Sequence, residues 1–128
     1  LRLEKGEEVI GTLTEFSRKH DIQAAAISGI GALREVKLSY FDREQKRYLD
    51  KTFYEIYELL SLNGNIGRFE GQPVVHAHCV IGTAEYRVYG GHLFSGIVAV
   101  TGEIHIQVFP QLLERRIDPE FQLKLWAF

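Results

Sequence analysis

Three histidines carry the chemistry this sequence could do. In Val75-His76-Ala77-His78-Cys79 two imidazoles alternate with small or apolar residues, and Gly90-Gly91-His92-Leu93 follows after a short polar stretch. The alternation predicts a strand, in which residues two apart share a face and stand roughly 6.5 Å apart along the backbone. Two imidazoles so placed can converge on one ion at a nitrogen–metal distance of about 2.0–2.1 Å. A three-residue turn at Thr83-Ala84-Glu85 pairs His76 with His92 on the next strand. A longer turn reaches the same pairing if Gly90-Gly91 forms a bulge. Either way His76, His78 and His92 share one face and form a candidate site for a divalent ion, zinc or similar. The competing reading is plain: histidines alternating on a strand also serve as surface or hydrogen-bonded residues.

No fourth protein ligand stands out. Three ligands with an open position match a catalytic ion better than a closed structural one. Glu103 and His105 alternate further on. A two-residue turn at Ser95-Gly96 would pair His92 with Ala99 and leave Glu103 about 13 Å away. Glu103 is therefore a candidate acid/base or fourth ligand only through another subunit or a different register. A ligating imidazole must be neutral, so metal release is expected as the pH falls below about 6.

Other chemistries fail on inspection. Cys79 follows His78 directly, so on a strand it faces the opposite way and reads as a buried structural cysteine. Gly29-Ile30-Gly31 lacks the third glycine of a dinucleotide fingerprint, Arg34 standing in its place, and a strand follows where a helix must start. There is no P-loop, nucleophile elbow or H-E-x-x-H motif. A net charge of -2 and a pI near 6.2 supply no basic field for direct DNA binding. The Arg115-Arg116 pair reads as solvated surface.

The elements that position these residues follow from periodicity. From Glu7 to about His20 the apolar Val9, Ile10, Leu13 and Phe16 recur at three- and four-residue steps, which predicts a helix. Glu7 and Glu8 lie at its positive end, and Arg18, Lys19 and His20 at its negative end. After Asp21 the pattern is β: Ile22 to Ile30, then Val36 to Tyr40, a charged turn at Asp42 to Lys46, and a return from Tyr48. Further strands are predicted over Tyr54 to Leu62, closing at Asn63-Gly64-Asn65, then Val74 to Ile81, Tyr86 to Phe94, Ile97 to Phe109, and about Phe121 to Leu125. Short connections make the sheet mainly antiparallel. The expected fold class is α+β: one domain over residues 1–128, a large curled sheet of about seven strands, and one main helix packed on it.

One helix cannot cover both faces of such a sheet, so curling or a partner subunit must bury the rest. The apolar ending Leu125-Trp126-Ala127-Phe128 points the same way. No stretch approaches the roughly 20 apolar residues of a membrane span. The single cysteine excludes an internal disulfide and fits a cytoplasmic setting. The chain begins at Leu1 and has no methionine, which implies residues ahead of Leu1 in the full protein.

Several segments in fixed order resemble the plants-and-prokaryotes-conserved (PPC) domain. They are the helix after Gly6-Glu7, Ser28-Gly29-Ile30-Gly31-Ala32, Glu58 to Ile66, His76-Ala77-His78 and Gly90-Gly91-His92-Leu93. The resemblance spans essentially the whole chain and implies a large antiparallel sheet and a homotrimer. It also implies a metal on His76, His78 and His92, as in some stand-alone prokaryotic members, which are loosely described as DNA-binding. Plant members place the domain after AT-hooks, where it mediates trimerisation and contacts with transcription regulators. This sequence has no Arg-Gly-Arg-Pro hook, and Glu55-Ile56-Tyr57 replaces the Gly-Arg-Phe that opens the plant motif. Two readings follow: a trimeric metal-binding domain, or a non-catalytic oligomerisation and protein-interaction module linked to DNA-binding or transcription regulation.

Overall fold

The computed structural model describes residues 1–127. Among these described residues the one helix, α1 (Val9–Lys19), follows the strand β1 (Arg2–Glu4). Val9, Leu13 and Ser17 are buried at the expected spacing, and Ile10 and Phe16 pack against the same core. The helix starts two residues later than the expected Glu7, because Glu8 is the cap. Its carboxylate accepts from the Ile10 N–H at 3.1 Å and the Gly11 N–H at 2.5 Å. These are two of the donors a helix start leaves without internal partners.

Four long strands make the body: β2 (Ala25–Asp42), β3 (Arg47–Phe69), β4 (Gln72–Gly82) and β5 (Val88–Val108). With β1 they form a five-stranded antiparallel sheet in the order β1-β5-β2-β3-β4, and β5 also pairs with β4. The sheet therefore curls until it closes on itself. Strands of 18, 23 and 21 residues accumulate twist. Register shifts between β2 and β3 at Gly29/Gly31 and Arg34/Val36 add local bends. Leu33, Leu62, Ile66, Ile81, Leu93 and Val98 fill the interior, and α1, packed against β4 and β5, adds Val9 and Leu13. A separate two-stranded ribbon, β6 (Arg115–Ile117) with β7 (Lys124–Trp126), completes seven strands.

The sequence divides this sheet too finely. Ser95-Gly96 is no hairpin, since β5 runs straight through it. The Gly96 N–H donates to the Glu8 carboxylate at 3.1 Å, and a Cβ there would meet Leu33 at 3.3 Å. Asn63-Gly64-Asn65 likewise lies within β3. A Cβ on Gly64 would lie 2.1 Å from the His76 carbonyl oxygen. These glycines mark places where chain packs closely, which a sequence pattern cannot separate from turns. The turn at 42–46 is as expected: Asp42 Oδ1 accepts from the Glu44 and Gln45 N–H groups, both at 2.9 Å. At the apolar C-terminus Leu125 and Trp126 are partly exposed; Phe128 lies outside the described residues. No helix of the described residues is long and apolar enough to cross a membrane.

Candidate metal centre

Alternation along β4 sorts its residues. Ala77, Cys79 and Ile81 face the core, while His76 and His78 face outward. On β5 Leu93 is buried and its neighbours His92 and Phe94 lie on the other face. The β4–β5 register pairs His78 with His92, Cys79 with Gly91 and Val80 with Gly90. That is two residues from the expected pairing of His76 with His92. The connection spans Thr83 to Arg87, closed by Thr83 N–H to the Arg87 carbonyl at 2.8 Å, and the ladder runs through Gly90 and Gly91 without a bulge. A shift of two leaves every side chain on its face, so the histidines still meet.

They meet closely. Ring centroids lie 5.3 Å apart for His76 and His78, 5.1 Å for His76 and His92, and 5.4 Å for His78 and His92. One ring nitrogen from each falls within 4.8 Å of the other two. Ligation of a tetrahedral ion requires nitrogens about 3.3 Å apart. Side-chain rotation would close the difference, and His78 is the exposed member of the three. His92 Nδ1 is buried with no hydrogen-bond partner. In the tautomer that leaves Nδ1 unprotonated, its buried lone pair has no donor, and a metal ion would take it. The donor set therefore fits a divalent transition ion.

The electrostatics fit as well. Burial, with the neighbouring His92, Arg115 and His78, holds His76 down to about 4. Burial and His78 also lower His92, against an opposing pull from Asp50. Both imidazoles are thus neutral at physiological pH, as ligands must be. Asp50 itself is kept ionised by Lys37 and by the Ser39 hydroxyl, which donates to it at 2.7 Å, and Ser39 is the β2 partner of His92.

The site opens into a cleft of about 460 Å³ between the sheet and the β6–β7 ribbon. Tyr48 packs on His92 with centroids 5.2 Å apart. Arg115, read from sequence as surface, is only 4% exposed. It donates to Asn65 Oδ1 at 2.5 Å and to the Lys124 carbonyl at 2.6 Å, and Asn65 is the β3 partner of His76. Its neighbour Arg116 does lie in solvent. Neither Arg115 nor Tyr48 belongs to a ligand motif. Only the inward alternation of a short strand that sequence did not predict could have found Arg115.

Glu103 is not brought to the histidines within one chain. It lies eleven residues beyond His92 on the same strand, about 36 Å of extended backbone, paired with Arg2 and Ile30. Cys79 is buried on the core side, with its thiol pushed up to about 12 by burial. It is a structural residue, as its position after His78 implies.

The model of the Plants and Prokaryotes Conserved (PCC) domain matches residues 1–110. Among solved structures the chain is similar to a plant- and prokaryote-conserved (PPC) protein of Pyrococcus horikoshii, at 37% identity and a TM-score of 0.93, covering 100% of this chain and 89% of that one. It is similar to a metal-containing protein of Archaeoglobus fulgidus, at 37% identity and a TM-score of 0.91, covering 100% and 91%. It is also similar to a candidate DNA-binding protein of Bacteroides thetaiotaomicron, at 31% identity and a TM-score of 0.96, covering 99% and 89%. A curated relative, the bifunctional protein GlmU of a Synechococcus strain, is 32% identical over 106 residues. That stretch covers 81% of this chain and only 16% of the relative.

Proposed function

The chain belongs to the Plants and Prokaryotes Conserved domain family, and from that premise we propose that it is a divalent-metal-binding domain with His76, His78 and His92 as the ligands. The observation that carries this reading is the convergence of three ring nitrogens within 4.8 Å, one ring having a buried nitrogen without a partner. The similar protein of Archaeoglobus fulgidus is described as metal-containing. Three imidazoles suit zinc among the available ions, although they would also take copper, nickel or iron. Zinc is our assignment.

A bound ion would supply Lewis acidity to whatever occupies its open positions. The protein's own residues do the rest. His92, fixed between β2 and β4, sets the centre, and His76 and His78 close on it from β4. Tyr48 walls one side and the β6–β7 ribbon another, which limits water around the site. Metal analysis of untagged protein tests the reading: about one ion per chain is expected, and none in His76→Ala. Metal-free wild-type protein after growth and refolding with zinc would overturn it.

The domain assembles, in this reading, as a homotrimer in the cytoplasm. Ile30 (56% exposed), Leu60 (50%) and Val100 (67%) flank one open cleft on the sheet far from the histidines, and apolar side chains of this size favour burial against a neighbour. Glu103 lines the same cleft, so a role for it as acid/base or fourth ligand needs a neighbouring subunit to carry it to a histidine site. Light scattering should give three times the 14.7 kDa chain mass, and Val100→Asp should return monomer. That exposed surface also favours a second reading, a non-catalytic oligomerisation and protein-interaction module linked to transcription. Under it, His76→Ala would leave assembly and partner capture unchanged. Direct DNA binding is the weakest option at a net charge of -2. A salt titration decides it, because phosphate contacts weaken steeply with salt.

A further inference from the structure

Among the described residues two arginines are buried, and they are not alike. Arg68 donates to the Ile22 and Gly71 carbonyls and pairs with the Asp21 carboxylate at 2.8 Å. Arg115 is buried more deeply, yet among the described residues no carboxylate lies within salt-bridge distance of it. Its two hydrogen bonds go to neutral oxygens, and its Nε is buried without a partner. A guanidinium has five N–H donors, so most of its capacity is uncommitted. A buried cation without a counter-charge is costly, and the cost falls when an anion joins it.

The cleft beside it has the matching character. Arg115 and Lys124 line it together with His76 and His92, and no Asp or Glu is among its lining residues. Val74, Phe94, Leu123 and Leu125 supply apolar wall. A volume of about 460 Å³ suits a small molecule. From this arrangement we infer that the cleft takes a small organic oxyanion, a carboxylate or a phosphate. Arg115 binds its charged group beside the histidine triad, and its apolar body lies against the wall from the ribbon. Planar bidentate recognition of such groups is what a guanidinium does better than an ammonium. The inference rests on the metal reading, since the oxyanion would fill the open side of the ion.

Cobalt(II)-loaded full-length protein provides the test, because its visible absorption reports on the ion's surroundings without any turnover. Metal content is measured first. Phosphate and acetate are then titrated separately, against potassium chloride at matched ionic strength. A saturable spectral change with one of them and none with chloride is expected, and whichever acts more strongly names the anion class. Arg115→Gln should retain cobalt and weaken that anion at least tenfold. Should Arg115→Gln fail to fold, Arg115→Lys keeps the buried charge but loses the fork, and a loss of several-fold is expected. A full cobalt complement with no response to either anion, or with affinity unchanged in both variants, overturns this inference and leaves the metal reading standing. Protein that takes up no cobalt overturns both.

Discussion

His78 and His92 stand directly opposite each other across the β4–β5 ladder, their rings perpendicular and 5.4 Å apart. The two positions are nevertheless unequal. His92 is flanked by paired strands on both sides and packed by the tilted ring of Tyr48, whereas His78 is exposed. The glycines before His92 follow from this squeeze: a Cβ on Gly91 would meet the Ser39 carbonyl oxygen at 3.1 Å, and one on Gly90 the Cys79 carbonyl oxygen at 3.2 Å.

The inequality predicts an order of effects on zinc affinity, measured by competition with a chromophoric chelator. His92→Ala removes the preorganised ligand and should weaken binding beyond the roughly 10–100-fold typical of an outer-shell loss. His78→Ala removes a ligand that must be ordered on binding, so its loss should be smaller. A larger effect at residue 78 would contradict the geometry.

Protons should compete with the ion at lower pH than ordinary histidines allow. His76 sits near 4 and His92 is also lowered, so zinc should be retained at pH 5.5, below the release near 6 that unperturbed histidines imply. Chelator-treated protein isolates the proton linkage of His76. Above 6.5 His76 is neutral in both folded and unfolded chains and contributes no pH dependence. Below 6.5 the unfolded chain takes up a proton that the folded chain resists until about pH 4. Stability of the metal-free protein should therefore fall from pH 6.5 toward pH 4 and then level off for this group. Urea midpoints across that range measure it, and His76→Gln should flatten the slope.

Gly64 controls how closely β3 approaches the metal strand. A Cβ there would lie 2.1 Å from the His76 carbonyl oxygen and 2.8 Å from the Ala77 Cα, both backbone atoms. Gly64→Ala must separate the strands at the ligand itself. We expect a loss of about 1–3 kcal/mol, as for other overpacked sites, together with weaker zinc binding. Urea unfolding of the metal-free form separates the two effects. An unchanged midpoint would show that β3 yields without cost.

Much of this was legible in the residues and some was not, for identifiable reasons. Helix α1 was legible because Val9, Ile10, Leu13 and Phe16 repeat with one period. The triad was legible although its register was read wrongly, because a slip of two leaves His76, His78 and His92 on one face. The strand boundaries, not their number, misled where Gly64 and Gly96 serve close packing inside long strands. Arg115 was missed because its burial depends on a three-residue strand pairing with Lys124–Trp126 over the sheet. No local pattern distinguishes that from a solvated Arg-Arg pair.

Glu8 joins the helix to β5 at Gly96, and two substitutions can separate its roles. One carboxylate accepts from Ile10 and Gly11 at the helix start and from Gly96 at 3.1 Å. Glu8→Ala should cost about 1 kcal/mol for the cap, plus the penalty of leaving the buried Gly96 N–H unpaired. Glu8→Asp keeps a strong capping group but is one methylene shorter, so it should recover the cap and lose the strand contact. Amide exchange distinguishes them: Ile10 and Gly11 should exchange faster only in the alanine variant, and Gly96 in both. Protection of Gly96 unchanged in the aspartate variant would mean that this part of β5 holds its place without the Glu8 carboxylate.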